Sequence, residues 1–344
     1  MLRWAVNTSA ALSLPQPAFD TLVRLLDDED SQHVLKNRQR EDQARALLSR
    51  LAQRACAVAA LGLSPSPSPP KRGHAANGRG RPFLDRAAAS ATDADAREAL
   101  ELAPNWNFSV SHEGEWVLLV SEPFALCGLD VAAPRRHRRP RAEAAATSAD
   151  DADSHPFLRS LALLRDSLTN SEWEDVRAPL AVDSSNEAAA EAAFLRAWAA
   201  KEAFVKARGD GLAFSPLSRV EAVWSAEARL RFADPEAVAE AARTGAALAV
   251  GSLRVDGVAL ERWSVASHPL EGGAWAAVIK GPASETADAR LHPDFVASLT
   301  RPAMVDGEGA GGGAPPPCFR VLMVEDLLLS EEEREALRRA RGDH

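Results

Sequence analysis

A short stretch of the chain spaces an acidic and a basic residue so that a helix would bring them onto one face. Residues 198–206 read WAAKEAFVK, so Glu202 and Lys206 are four positions apart. Such pairs most often only stabilise the helix that carries them. Trp198 lies one turn before Glu202, however, and we expect it to hold this face against protein. Because a carboxylate on a partly buried face needs a metal or cation partner, Glu202 is a candidate for chemistry.

A second carboxylate lies near the end of a short apolar strand predicted at 127–131. Asp130 follows Gly128 and Leu129, and an isolated acid in such a position is often only a turn former. Together with Glu202 it offers two hard oxygen ligands from different elements. Mg²⁺ favours few protein carboxylates combined with waters and substrate phosphates, so the pair fits a magnesium site.

Groups that could contact phosphate lie earlier in the chain. Ser109, Ser111 and His112 belong to the first strand of a hairpin predicted at 105–122. An isolated histidine is most often a hydrogen-bonded core residue, but beside two hydroxyls and a tight turn His112 also fits a phosphate contact.

A glycine-arginine string precedes this hairpin. Residues 78–82 read GRGRP, in which glycines allow close approach of an anion while Arg79 and Arg81 supply charge. The same composition is common in disordered linkers, so this string alone says little.

The elements that must position these residues alternate between helix and strand. Helical periodicity is present at 18–60 and 157–177, and Glu187–Arg208 contains no glycine or proline and ends at Gly209. Further strands are predicted at the first residues and in four later runs, at 219–224, 247–255, 261–267 and 274–280. This alternation predicts an α/β (α+β) fold.

The length of 344 residues allows two compact domains. Stretches rich in Ser-Pro, Arg-Ala-Asp or Gly-Pro cannot build a core and are predicted to be insertions or linkers, at 62–78, 134–155 and 283–316. We predict an N-terminal half at 1–125, a C-terminal half with the metal site at 126–282, a flexible linker, and a peripheral tail with a helix at 317–344.

Composition excludes some classes of protein. A net charge of −9 argues against a general nucleic-acid binder. The arginine-rich run 135–141 is interpreted as a solvated loop, although binding of DNA or of the acidic surface of a partner protein is an alternative. No segment approaches the length of apolar residues that a transmembrane helix needs, and no signal peptide is recognised. The three cysteines show no metal or disulfide spacing, so we expect a cytoplasmic (cytosolic) protein without a membrane partner.

Taken in order, these motifs resemble the Sfp-type 4′-phosphopantetheinyl transferases, above all the eukaryotic aminoadipate-semialdehyde dehydrogenase phosphopantetheinyl transferases. That family has a G-[KR]-P string, an N-x-S-H hairpin, a G-[IV]-D strand end and a W-x-x-K-E-[AS]-x-x-K helix. The corresponding stretches of this chain are 80–82, 108–112, 128–130 and 198–206, and the chain also resembles the family at 168–174 and 209–212. The resemblance covers roughly residues 3–282 apart from the insertions.

The resemblance implies two pseudo-symmetric halves with the active site in the cleft between them. It implies Mg²⁺-dependent transfer of 4′-phosphopantetheine from coenzyme A to a serine of an apo acyl or peptidyl carrier protein, with release of 3′,5′-ADP. This is the activity of a holo-[acyl-carrier-protein] synthase. We expect a monomer, because the halves supply each other's partner surface. The alternative is a catalytically inactive family member that binds coenzyme A or a carrier protein.

The resemblance also implies a role for each motif residue. Asp130 and Glu202 would hold the metal, Lys206 would contact the same phosphates, and Glu202 would act as base directly or through a bound water. The remaining contacts to coenzyme A would come from Arg79, Arg81, Ser109, Ser111 and His112, helped by basic residues of 36–45. Many bacterial members have a second acid where this chain has Ala132, so a metal site of two carboxylates plus water is expected.

Overall fold

The computed structural model describes residues 1–62, 72–73, 81–84, 94–134, 155–286 and 318–342. Arg79, the basic run 135–141 and most of the predicted insertions and linker lie outside the described residues.

The first sheet has the strand order β11-β1-β5-β4. β1 and β5 are antiparallel, as are β5 and β4, whereas β11 runs parallel to β1. β4 and β5 form the hairpin predicted at 105–122, which is confirmed, and Gly114 at its turn has a φ of 56°. The strands of this sheet are β1 (Leu2–Asn7), β4 (Asn107–Glu113), β5 (Trp116–Glu122) and β11 (Arg320–Val321). A separate short ladder consists of β2 (Arg72–Gly73) and β3 (Phe83–Leu84).

Helices cover one face of this sheet. The longest of them, α4, packs leucines and alanines against apolar residues of β1, β4 and β5, and it ends at Gly62 in the left-handed region. The helices of this half are α1 (Ser9–Leu12), α2 (Gln16–Val23), α3 (Asp28–Leu35), α4 (Arg40–Leu61) and α5 (Ala94–Leu102).

The second sheet is antiparallel throughout, with the order β6-β10-β9-β8-β7. Its strands confirm the runs predicted from the sequence: β6 (Leu126–Ala132), β7 (Val220–Val223), β8 (Ala249–Val255), β9 (Val258–Pro269) and β10 (Trp275–Gly281). In each half a first strand leads to a helix of 22 residues, and a later hairpin then pairs with that first strand. This repetition gives the α+β fold its pseudo-two-fold character.

The helices of the second half are α6 (Pro156–Ser160), α7 (Asn170–Val182), α8 (Glu187–Arg208), α9 (Ala226–Ala233) and α10 (Pro235–Thr244). The helix α8 has the bounds that the sequence predicts and ends at Gly209, with a φ of 84°. The single helix predicted at 157–177 is wrong. A 3₁₀ segment follows α6, and α7 then starts anew because Thr169 and Glu172 form a capping box.

The C-terminal segment belongs to the core, so the expectation of a peripheral tail is wrong. β11 adds an edge strand to the first sheet, and α11 (Glu331–Arg341) carries Glu333, which pairs with the buried Arg54 of α4. Leu322, Leu327 and Leu337 are buried in the core of the first half. These buried leucines hold the segment against the core although α11 is highly charged. Most of the charged side chains of α11 lie on the outer face of the helix.

Among the helices that the structure describes, none has the length and apolar character needed to cross a bilayer.

Candidate active site

The two sheets meet along their edge strands through side chains. Alternate residues of β4 point towards β6 and accept hydrogen bonds from alternate backbone N–H groups of that strand, at N···O distances of 3.0 to 3.3 Å. The four pairs are Asn107 with Cys127, Ser109 with Leu129, Ser111 with Val131, and Glu113 with Ala133. We call this set the seam. It fixes the register of the halves and places Ser111 beside Asp130.

A close group of three polar side chains lies at the seam. The Ser111 hydroxyl donates to Asp130 Oδ1 at 2.8 Å. Lys206 Nζ donates to the same oxygen at 2.6 Å and to Ser111 Oγ at 3.0 Å. The structure therefore brings together residues from β4, β6 and α8 that are far apart in the sequence.

The contact of α8 with β6 requires the glycine before Asp130. A Cβ atom on Gly128 would lie 1.9 Å from the carbonyl oxygen of Ala203 and 2.6 Å from the backbone nitrogen of Ala207. Any side chain there would push the helix away from the strand. Gly128 thus explains how Asp130 and Lys206 come within hydrogen-bonding distance.

Glu202 lies one turn before Lys206 and is only partly exposed. No hydrogen bond or ion pair links its carboxylate to the residues that the structure describes. Desolvation raises the pKa of Glu202, the negative charge of Asp130 raises it further, and Lys206 opposes the shift. An added cation or a proton would therefore stabilise the carboxylate of Glu202.

This donor set fits the predicted cation. Glu202 and Asp130 are close enough for their negative charges to interact, and carboxylates are hard oxygen ligands. All the described contacts of Asp130 use Oδ1, so Oδ2 is available. Ala132 is buried in the apolar core and supplies no ligand. In the described parts of the chain, no three or more His, Cys, Asp or Glu side chains cluster. Two carboxylates plus water remain the prediction.

Glu202 and Lys206 stand on a wall shared by two cavities between the halves. One cavity, of about 590 Å³, is lined by polar groups that include Arg50, His112 and Asp130. The other, of about 610 Å³, has a mostly apolar lining that includes Val205, Phe214 and Leu217. A ligand with a charged end and an apolar end could therefore lie across the wall.

His112 lies at the exposed end of β4 and lines the polar cavity. Desolvation by the walls of the cleft lowers the pKa of His112, and the positive charges of Lys206 and Arg45 lower it further. The charges that would attract an anion therefore add to desolvation in disfavouring the imidazolium form of His112.

The structure places Arg81 differently from Ser111 and His112. The residue is 8% exposed, and its guanidinium donates to backbone carbonyls of α8 and β4. Ser109 supports the seam through its bond to Leu129. The predicted contacts of Arg81 and Ser109 with coenzyme A stay predictions, as does that of Arg79.

Several residues of this region escaped the sequence argument. Arg50 and Glu113 line the polar cavity. Arg45, by contrast, lies within the basic stretch 36–45 that the resemblance implied, and its Nη1 donates to the carbonyl of Gly114 at the hairpin turn. Arg50 lies just beyond the basic stretch that the sequence singled out. Lys201, within the WAAKE motif, faces away from the cleft and forms a buried ion pair with Glu172.

Two family models match the chain. One is described as 4′-phosphopantetheinyl transferase, N-terminal, and matches residues 15–124, and the other is described as 4′-phosphopantetheinyl transferase superfamily and matches residues 126–250. The chain belongs to the 4′-phosphopantetheinyl transferase superfamily.

Curated relatives agree with this assignment. The L-aminoadipate-semialdehyde dehydrogenase-phosphopantetheinyl transferase of Rattus norvegicus is 28% identical over 64% of this chain and 59% of its own length. The protein of the same name from Homo sapiens is 32% identical over 37% of this chain and 34% of its own length. A phosphopantetheinyl transferase of Thraustochytrium sp. is 26% identical over 55% of this chain and 54% of its own length. The chain thus spans about a third to three fifths of the length of these relatives.

Proposed function

We propose that this protein transfers 4′-phosphopantetheine from coenzyme A to a serine of an apo carrier protein and releases 3′,5′-ADP. The observation that carries the proposal is that Glu202 and Lys206 stand on the wall between a polar and an apolar cavity, with Lys206 bonded to Asp130. We further propose a cytosolic monomer with the specificity of a holo-[acyl-carrier-protein] synthase.

The two cavities match the two ends of coenzyme A. Its phosphates carry about four negative charges near neutrality. The polar cavity offers Arg50, His112 and Lys206 to these charges, although the protein as a whole is acidic. The apolar cavity offers Phe214 and Leu217 to the pantetheine arm. The scissile phosphate would then lie at the wall, beside Glu202 and Lys206.

Asp130 and Glu202 are the residues that would hold Mg²⁺, a cation that neutralises charge on pyrophosphate oxygens when it is bound. Ser111 fixes Asp130 through the 2.8 Å hydrogen bond, and Lys206 is free to turn from Asp130 towards a phosphate oxygen, because its side chain is 34% exposed.

The transfer itself requires one proton to move. The carrier serine oxygen attacks the β-phosphorus, the bond from that phosphorus to the bridging oxygen breaks, and 3′,5′-ADP leaves with the electron pair. Glu202 accepts the serine proton, directly or through a bound water. Lys206 stabilises negative charge on the transferring group.

The replacement Glu202→Gln tests this proposal. It keeps the size of the side chain and removes the base, so transfer should fall by roughly 10²- to 10⁴-fold. The measurement is the mass increase of several apo carrier proteins incubated with coenzyme A and Mg²⁺, with circular dichroism to verify folding.

A matched control lies on the same helix. Glu187 is at the exposed start of α8, and Glu187→Gln should leave the rate unchanged. Normal formation of holo-carrier by Glu202→Gln would contradict the proposed mechanism. Binding of coenzyme A by the unaltered protein without any mass increase would instead support the inactive binding protein.

A further inference from the structure

The guanidinium of Arg81 joins the two halves beside the candidate active site. Nη1 donates to the carbonyl oxygens of Lys206 at 2.6 Å and of Ala207 at 2.8 Å. Nη2 donates to the carbonyl oxygen of Phe108 at 2.9 Å and to Oδ1 of Asn107. The four N–H groups of the two terminal nitrogens thus meet four oxygen acceptors, two on α8 and two on β4.

The acceptors on α8 belong to its last turn. The last four carbonyls of a helix lack donors within the helix. In α8 the first of these, on Val205, accepts from the N–H of Gly209, and the last, on Arg208, accepts from the hydroxyl of Thr286. Arg81 supplies donors to the two between them. Its positive charge also lies at the end of the helix where the dipole is negative.

The acceptors on β4 connect Arg81 to the seam. Oδ1 of Asn107 accepts from Arg81 and also from the backbone N–H of Cys127 at 3.1 Å. The same guanidinium therefore holds the end of α8, the start of β4 and, through Asn107, the start of β6. These are the elements that carry Lys206, Ser111 and Asp130.

We propose that Arg81 is a positioning residue for phosphopantetheine transfer, which seats the last turn of α8 on the seam and so sets Lys206 and Glu202 against Asp130. This inference rests on the proposed function. It differs from the role that the family resemblance implies, in which Arg81 binds a phosphate of coenzyme A.

The replacement Arg81→Lys separates the two roles. A lysine serves well as a point charge for phosphate, but it cannot donate to four acceptors on two elements. If Arg81 is a positioning residue, Arg81→Lys should reduce kcat at saturating coenzyme A by about ten- to hundredfold, because small misplacements of reacting groups slow the reaction strongly. The KM for coenzyme A should change by less than about threefold.

The opposite split would overturn the inference. If Arg81→Lys retains kcat and raises the KM for coenzyme A, Arg81 is a phosphate ligand. If the lysine variant behaves normally, Arg81→Gln is measured instead, and the same result leads to the same conclusion. Loss of the preference for coenzyme A over 3′-dephospho-coenzyme A would lead to the same conclusion.

A second buried arginine provides the matched control. Arg54 joins α4 to Glu333 of α11, away from the cleft, and is 4% exposed. Arg54→Lys should lower the melting temperature and leave kcat unchanged. A fall of kcat in this variant as large as that in Arg81→Lys would show only a general effect on the fold, and would contradict a specific positioning role.

Hydrogen exchange decides the inference independently of catalysis. Arg81→Lys should make the amides of 206–210 exchange roughly tenfold faster, whereas Arg54→Lys should leave them unchanged. If the unaltered protein modifies no apo carrier, the proposed function fails, and unchanged exchange in Arg81→Lys would separately remove the inference.

Discussion

Two lysines of α8 form ion pairs of nearly the same length in opposite surroundings. Lys201 Nζ lies 2.7 Å from Glu172, and Lys206 Nζ lies 2.6 Å from Asp130. The Lys201 side chain is 1% exposed and that of Lys206 is 34% exposed. Five residues rotate a helix by about 140° beyond a full turn, so one lysine faces the interior and the other faces the cleft.

The partners of the two lysines explain how the pairs differ. Lys201 also donates to the carbonyl oxygens of Leu217 and Val220, and Glu172 also accepts from the backbone N–H of Thr169. Desolvation lowers the pKa of Lys201 and raises that of Glu172, and each charge opposes the shift of the other. The buried pair is closed to ligands, so its effect is on stability, whereas Lys206 is accessible from the cleft.

The largest effect is expected from Lys201→Met. This change leaves the carboxylate of Glu172 buried without its cation, and it should lower the free energy of unfolding by about 3–5 kcal/mol. Urea denaturation measures this loss, and the activity per folded molecule should remain within about twofold because Lys201 does not reach the cleft.

A second replacement tests whether the charge is the cause. Glu172→Gln in the Lys201→Met background removes the unpaired charge and keeps an oxygen that can accept from Thr169. The double variant should recover roughly half of the lost stability. If it is no more stable than Lys201→Met alone, the loss comes from packing instead, and the contrast with Lys206 would have to be explained by volume.

The intermediate effect is expected from Lys206→Met. Transfer should fall by about 10²-fold, equivalent to about 2.7 kcal/mol, because the variant loses a cation that we propose to face the transferring phosphate. Since the Lys206 side chain is partly exposed and Asp130 keeps its hydrogen bond from Ser111, the free energy of unfolding should fall by less than in Lys201→Met, although Asp130 itself is buried. A large loss of stability with normal transfer would reverse the comparison between the two lysines.

Local patterns were enough to predict α8, the β4–β5 hairpin and the strands of the second sheet. The four-residue spacing of Glu202 and Lys206 predicted a shared face, and Gly209 predicted where the helix ends. Such features depend on neighbours along the chain. Asp130 was a candidate from its position near the end of a short strand, but spacing alone could not have placed it beside Lys206.

Contacts that depend on the tertiary structure were not accessible in the same way. Arg81 binds backbone carbonyls, which every residue possesses, so no sequence pattern identifies its partners. The tail looked peripheral because its helix is highly charged, although a few leucines anchor it. The helix predicted at 157–177 is interrupted after Ser160, and Thr169 begins a new helix, because a capping box competes with helical periodicity over a few residues.

The smallest effect, and the one that reports charge most directly, is expected at His112. Its pKa lies below the ordinary value for histidine, after desolvation chiefly because of Lys206. A nearby positive charge disfavours the imidazolium form, so Lys206→Met should raise the pKa of His112. Lys201→Met should leave it unchanged, because that lysine lies on the other face of α8 and Glu172 balances its charge. Titration of the histidine ring signals by NMR measures both variants, with His268 as internal reference, since burial lowers its pKa to about 3. An equal rise of the His112 pKa in both variants would mean that the two faces of α8 are not electrostatically separate.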